Sequence, residues 1–348
     1  MKQKIRVGVL FGGMSAEHEV SLQSAKNIIE AIDTEHYDIT SIKITKDGHW
    51  ELAGIKVALA SQSQGRITSL VTGEIVQIVD VVFPMLHGPC GEDGTVQGLL
   101  QLAQVPFVGA GVLGSAIGMD KDVMKRLLRE AGIPTATYVV AKHKNEVDFT
   151  DIENKLGLPV FIKPANMGSS VGVSKVTNKI EFDMAVNEAF KYDTKILIEE
   201  MVIGREIECS VLGNTNPVAS SLGEITPNHS FYSYEAKYLD ENGAGLSIPA
   251  NVSDEEKTAI QQMAIKVYTT LECEGLGRVD FFLKPNGELS VIEINTIPGF
   301  TKISMYPKLW EHSGVSYTQL ISKLIDLAIE RFERQGMLQT SFVINSIK

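Results

Sequence analysis

Residues Gly277–Phe300 read GRVDFFLKPNGELSVIEINTIPGF, and the rest of the chain is organised around them. Two apolar runs, Val279–Leu283 and Leu289–Ile294, flank Lys284-Pro285-Asn286-Gly287. Apolar runs joined through Asn-Gly predict a β-hairpin. With Asn286-Gly287 as a two-residue turn, Pro285 faces Glu288, Asp280 faces Glu293 and Arg278 faces Asn295. Opposed side chains lie about 5 Å apart at Cβ, so two facing carboxylates destabilise a strand pair unless something offsets their charge. Side chains alternate along a strand, which puts Glu293 and Asn295 on one face with Asp280 and Arg278. Two carboxylates and an amide oxygen are hard donors of the kind that hold Mg²⁺ together with substrate phosphates. The alternative is a solvated hairpin whose acids pair with Arg278.

At 348 residues the chain exceeds a usual single domain, so two or three domains are expected. A hydrophobic content of 44% is enough for sizeable cores. The net charge of −11 argues against bulk binding to nucleic acid or an anionic membrane, while leaving room for a local phosphate pocket. Cys90, Cys209 and Cys273 are too few and too scattered for a disulfide framework or a zinc cluster. There is no apolar run of about 20 residues. The opening MKQKIRVGVLFGG is basic and then apolar, but the apolar part is short, broken by glycine and without a small-residue cleavage site. It reads as a first strand, and the expectation is a soluble, cytoplasmic protein.

Ile5–Phe11 suits a buried strand, ended by Gly12-Gly13 and followed by a helix with apolar Leu22, Ala25, Ile28, Ile29 and Ile32. Strand, glycine turn and helix open an α/β unit that binds ligands at the strand's C-terminal end. The turn is GGMSAE rather than GxGxxG, so no dinucleotide is signalled. Glu17, where the turn meets the helix, can receive a ligand's ammonium group or simply favour the helix N-terminus. Val79–Leu86 is another strand, running into a polar loop, His87–Gly94. His87 there is either catalytic or an orienting residue. Thr95–Ala103 reads as a helix, Val105–Val108 as a short strand, and glycines at 109–114 suggest a domain boundary.

An amphipathic helix follows Met119-Asp120-Lys121 and stops at Gly132-Ile133-Pro134. Thr137–Ala141, Val160–Lys163, Gly172–Val176 and Lys195–Ile198 read as strands. Lys163 enters the Gly/Ser loop KPANMGSSVGV, which lacks a P-loop pattern yet can present backbone N–H groups to phosphates; the alternative is a plain hairpin turn. Gly204-Arg205 marks a second boundary. Gly223–Pro249 is long, polar and tyrosine-rich, as functional loops are. Asp254–Leu271 and Ser316–Glu333 read as helices, and Met337–Lys348 is uninformative.

Taken together, GGMSAEHEVSL, HGPCGEDGTVQG, MDK, KPANMGSSVGV, YEAKY, GRVDFF and EINTIPGFT resemble the ATP-grasp ligases and, within them, the D-alanine–D-alanine ligase family. The resemblance runs from about Ile5 to about Arg334. It implies an α/β protein of ATP-grasp fold: an N-terminal open α/β domain (1–110), then a central domain (111–204) and a C-terminal domain (205–348) that clasp ATP. By this resemblance Lys121, Lys163 and Lys237 match phosphate-binding lysines. Glu199 and Val202 match the adenine-recognising positions, and Glu206 matches the ribose carboxylate. Asp280, Glu293 and Asn295 match ligands of Mg²⁺, two ions in the family, with Mn²⁺ able to substitute. Glu17 matches the group near the first substrate's ammonium. His87 matches a substrate-binding position. Arg278 and the Gly299 N–H match donors facing the reacting carbonyl. Ser304 and Met305 match the second substrate's carboxylate site, and Ser169 and Tyr238 link the Gly/Ser loop to the 223–249 loop.

The implied reaction activates D-alanine with ATP as an acyl phosphate, which the amine of a second D-alanine then attacks. The acyl phosphate hydrolyses easily, which gives the 223–249 loop a role as a lid. A homodimer is expected, with ATP and D-alanine as the small-molecule partners. Tyrosine at the end of YEAKY accompanies peptide formation in the family and phenylalanine accompanies ester formation, so Tyr238 favours the peptide over a D-alanine–D-lactate ester. Asn166-Met167 and Lys302 depart from the family pattern.

Overall fold

A computed structural model of the chain describes residues 3–227 and 244–339. Its first sheet contains β1 (Ile5–Gly12), β2 (Tyr37–Ile44), β3 (Trp50–Leu52), β4 (Ile55–Leu59), β5 (Arg66–Ser69), β6 (Ile75–Ile78) and β7 (Val81–Met85), in the order β6-β5-β4-β3-β2-β1-β7. β1 is parallel to both β2 and β7, and β2 through β6 continue as an antiparallel ribbon. Val7, Val9 and Leu10 are buried on both sides of β1, as expected for a central parallel strand. Helix α1 (His18–Ala31) returns from β1 to β2. Val105–Val108, expected as a strand, is reduced to one parallel bridge between Val82 and Phe107.

Helices α2 (Thr95–Leu102), α3 (Val112–Met119) and α4 (Lys121–Glu130) lead to the second sheet. α4 begins at Asp120, whose side chain accepts from the Asp122 and Val123 amides. The second sheet is antiparallel: β8 (Tyr138–Ala141), β9 (Val160–Pro164), β10 (Ser174–Val176) and β11 (Ile196–Glu200), in the order β10-β9-β11-β8. Helices α5 (Phe149–Leu156) and α6 (Lys179–Ala189) complete a core of their own with it.

The third sheet holds β12 (Arg205–Gly213), β13 (Val218–Pro227), β14 (Ala244–Ser247), β15 (Gly275–Leu283) and β16 (Leu289–Asn295), in the order β14-β13-β12-β15-β16. It is backed by α7 (Asp254–Thr270), whose N-terminus is closed by a reciprocal Ser253–Glu256 capping box. Then come α8 (Met305–His312) and α9 (Tyr317–Gly336). No described helix is long and apolar enough to cross a membrane.

Two further expectations are corrected. The hairpin turn is one residue longer than the Asn-Gly reading: Lys284 faces Glu288, with the Lys284 amide donating to the Glu288 carbonyl, and Leu283 faces Leu289. A bulge at Ile292 then shifts the partner by one, so Asp280 still faces Glu293 and Arg278 still faces Asn295. The ends of the 223–249 stretch are not loop: Glu224 pairs with Ser247 and Ile225 with Leu246. Apolar alternation there is too weak to show as strand in the sequence. Lys237 and Tyr238 lie outside the described residues.

One core joins the first sheet to the C-terminal part of the chain. Phe83, Val9 and Ile28 pack with Leu276, Tyr306, Leu320 and Leu324. Phe300 sits at its centre, 6.1 Å from Phe83, 5.5 Å from Tyr306 and 5.8 Å from Tyr317, ring centre to ring centre. Three aromatic pairs at about 0.5–1.5 kcal/mol each beyond burial anchor the segment that carries Gly299.

Candidate active site

A cleft of about 910 Å³ opens between the second and third sheets and the loops after β1 and β7. Every candidate residue within the described part of the chain lines it. On the hairpin face Arg278, Asp280 and Asn295 are joined by hydrogen bonds, and Glu293 stands opposite Asp280 in the strand pairing. Arg278 donates through Nε to Asp280 Oδ1 and through Nη2 to Asp280 Oδ2, each at 2.8 Å. Its Nε also lies 3.0 Å from Glu208 Oε2. Asn295 Nδ2 donates to Asp280 Oδ2 at 3.0 Å. Lys121 Nζ reaches across from α4 to within 3.4 Å of Glu293 Oε2. Asp280 thus pairs with Arg278 and accepts from the Asn295 nitrogen, while Glu293 pairs with Lys121.

Among the described residues no group of three or more His, Cys, Asp or Glu side chains is gathered for a metal. The hairpin offers two carboxylates and, with its amide turned about χ2, the Asn295 carbonyl oxygen. Such a set fits Mg²⁺, which takes one or two carboxylates and completes its shell with phosphate oxygens and water. It does not fit Zn²⁺, which wants nitrogen and sulfur donors.

At the second-sheet wall, Glu199 is held between two lysines. Lys163 Nζ is 2.6 Å from Oε2 and Lys125 Nζ is 3.1 Å from Oε1. Burial pushes the Glu199 carboxyl up, but Lys125 and Lys163 outweigh it and hold it below its usual range. The Lys125 contact is at ion-pair distance but off the hydrogen-bond direction, so Oε1 is a buried acceptor with no aligned donor. A ligand N–H could donate to it. Val202 and Glu206 line the same end, beyond β11 and at the start of β12.

The opposite end is built by glycine. A Cβ at Gly88, whose φ is +75°, would stand 2.8 Å from both Glu17 Oε2 and Ser15 Oγ. Glu17 is therefore seated directly on the loop after β7, and Ser169 Oγ of the Gly/Ser loop donates to its other oxygen. Ser169 and Ser170 both occupy the left-handed region, at φ 50° and 61°. Non-glycine residues are uncommon there and tend to mark functional sites. His87 is buried, with Nδ1 3.1 Å from the Ile297 carbonyl, and burial pulls its pKa below the usual value. The neutral imidazole donates through Nδ1 to that carbonyl. Ser304 Oγ accepts from the Thr301 amide at 2.9 Å, and a Cβ at Gly299 would meet it at 2.9 Å. Met305 packs on Ile225 and Leu309 and shows only part of its side chain to the cleft.

Three further groups belong to this site. Glu92 accepts from the Gly88 amide at 2.8 Å and the Ile297 amide at 3.1 Å, tying the loop after β7 to the segment after β16. Burial and the nearby Glu17 push its carboxyl up to about 8. Lys125 is legible as the position one turn beyond Lys121 on α4. Glu208 needed the strand pairing of β12 with β15 to bring it opposite Asp280.

Models of two protein families match the chain: the D-Ala–D-Ala ligase N-terminus over residues 6–110 and the D-Ala–D-Ala ligase C-terminus over residues 127–326. The chain belongs to the D-alanine–D-alanine ligase family. It is 52% identical to a D-alanine–D-alanine ligase of Shouchella clausii, over 97% of this chain and 98% of that relative. It is 47% identical to D-alanine–D-alanine ligase A of Escherichia coli K12, over 97% and 100%. Among solved structures, a D-alanine–D-alanine ligase from Coxiella burnetii superimposes with a TM-score of 0.84 at 38% identity, covering 96% of this chain and 97% of that one. A D-Ala:D-Ser ligase from Enterococcus faecalis does so with a TM-score of 0.85 at 38% identity, covering 94% and 100%. The fold is the α/β, ATP-grasp arrangement of this family.

Proposed function

We propose that the chain joins two D-alanine molecules to D-alanyl-D-alanine, with ATP converted to ADP and phosphate, for peptidoglycan precursor synthesis. The observation that carries this reading is the single cleft in which Lys121, Lys163 and Glu199 face the Arg278, Asp280, Glu293 and Asn295 surface, with Glu17 at one end. Glu17, fixed by Ser169, receives the ammonium of the first D-alanine. Lys121, Lys163 and Lys237 take the nucleotide phosphates, Glu199 and the Val202 backbone take adenine, and Glu206 takes ribose. When bound on Asp280, Glu293 and Asn295, Mg²⁺ (or Mn²⁺) spreads the charge of the transferring phosphoryl group. Arg278 and the Gly299 N–H stabilise the oxyanion formed when the second amine attacks, about 3 kcal/mol per donor. Ser304 and Met305 hold the second carboxylate.

The division at 1–110, 111–204 and 205–348, a homodimer and a cytoplasmic location belong to the same proposal, on the family's pattern. Because a D-Ala:D-Ser ligase also matches, the second substrate is the point to test. D-alanine, D-serine and D-lactate are offered in competition with ATP and Mg²⁺, and the product is identified by mass. D-alanyl-D-alanine is expected at neutral pH; a dominant D-serine or D-lactate product refutes the assignment. Tyr238→Phe is expected to shift product toward the D-lactate ester, most visibly at lower pH, where free amine is scarcer.

A further inference from the structure

Glu199 balances one positive charge, yet two lysines contact it. They differ in setting. The Lys163 side chain stands at the end of β9, next to the Gly/Ser loop, and is 11% exposed. The Lys125 side chain lies on the buried side of α4 and is 1% exposed. Its ammonium is 5.7 Å from the Tyr138 ring centre, and Glu199 Oε1 is its ion-pair partner. A buried carboxylate stripped of its counter-ion is strongly disfavoured. If Lys163 were the sole partner of Glu199, drawing Lys163 to an incoming phosphate would strand that carboxylate.

We propose that Lys125 is a positioning residue for nucleotide binding. It is the resident counter-ion that keeps Glu199 charged and in place, and so frees Lys163 to move from Glu199 to a phosphate. This rests on the nucleotide reading above and deepens it. Lys125 touches no phosphate itself; it acts through Glu199. Without Lys125, Glu199 either retains Lys163, and the phosphates lose a donor, or takes up a proton, and Oε1 and Oε2 no longer form a charged acceptor pair.

The test is a double-mutant cycle read by equilibrium binding of ADP with Mg²⁺ by calorimetry, with no turnover involved. Lys125→Met is expected to weaken ADP by about ten- to a hundredfold, the loss of one charge-assisted contact. Lys125→Arg is expected to keep affinity within about threefold of wild type. In a Glu199→Gln background there is no carboxylate to hold Lys163, and Lys125→Met is then expected to cost less than about twofold. Far-ultraviolet dichroism and thermal unfolding check the fold, and Lys125→Gln, close in length and polar, replaces Lys125→Met if the latter does not fold. Unchanged ADP affinity in folded Lys125→Met or Lys125→Gln overturns the proposal. An equal loss in both backgrounds also overturns it, because Lys125 would then not act through Glu199. A wild-type chain that binds no adenine nucleotide overturns the functional reading itself, an outcome distinct from wild-type binding with an indifferent Lys125.

Discussion

Glu293→Gln separates a residue held for metal chemistry from one held for the fold. Glu293 stands directly opposite Asp280, and such a like-charge pair costs about 0.5 kcal/mol. The substitution removes that repulsion. It also removes the ion pair with Lys121, whose 3.4 Å separation and partly exposed Glu293 make it worth about the same. The two effects nearly cancel, so stability without ligand should stay within about 0.5 kcal/mol of wild type, a shift in Tm of about 2 °C or less. With Mg²⁺ and ADP at about a hundred times their Kd, the wild type should gain about 2.7 kcal/mol, several degrees. The variant should lose most of that gain, and with it D-alanine-dependent phosphate release. Scanning calorimetry with and without Mg²⁺ and ADP reads both quantities on one sample. A variant that keeps the Mg²⁺-dependent shift would refute the metal assignment. One that is several kcal/mol less stable without ligand would show that Glu293 is a structural residue.

Gly88→Ala puts a Cβ at φ +75° and 2.8 Å from Glu17 Oε2, so it should cost about 1–2 kcal/mol of stability. It should raise the D-alanine KM while leaving ADP affinity near wild type, which calorimetry and steady-state kinetics can compare. Arg331→Met removes a buried guanidinium that donates to the Phe107 carbonyl at 2.7 Å and to the Gly109 carbonyl. Urea unfolding should show a loss of about 3 kcal/mol, because both carbonyls stay buried without their donor. Glu92 carries a folded-state pKa raised from 4.5 to about 8, so between those values the native state holds a proton the unfolded chain lacks. Its contribution is therefore complete at low pH and is lost as pH rises through about 8. Unfolding midpoints measured from about pH 5 to about pH 9 should fall less steeply in Glu92→Gln than in wild type, with His87 common to both proteins.

The hairpin shows how far local pattern reaches. Asn286-Gly287 between two apolar runs locates the turn, but the chain adds a residue to the loop and a bulge at Ile292, and the two offsets cancel at Asp280 and Glu293. The facing pair was legible; the path to it was not, because a bulge leaves no mark in an apolar run. The ribbon from β2 to β6 and the pairing of β13 with β14 stayed hidden for a related reason. Their strands are short or mixed in polarity, and pairing partners, rather than periodicity, make them strands.

Residue chemistry and order along the chain determined the α/β class, the Gly/Ser loop, the oxygen donors of 280–295 and the seven motifs that mark the family. These are local properties, carried by turn residues, burial patterns and side-chain type within a few positions of one another. Only the tertiary structure decided what meets in the cleft: Ser169 with Glu17, Lys121 with Glu293, Lys125 and Lys163 with Glu199, and Glu92 with the Ile297 amide. Those partners are far apart in sequence and come from different strands, helices and loops. Burial then sets their charge states, raising Glu92 and lowering His87, and burial is a property of the packed whole that no window of sequence contains.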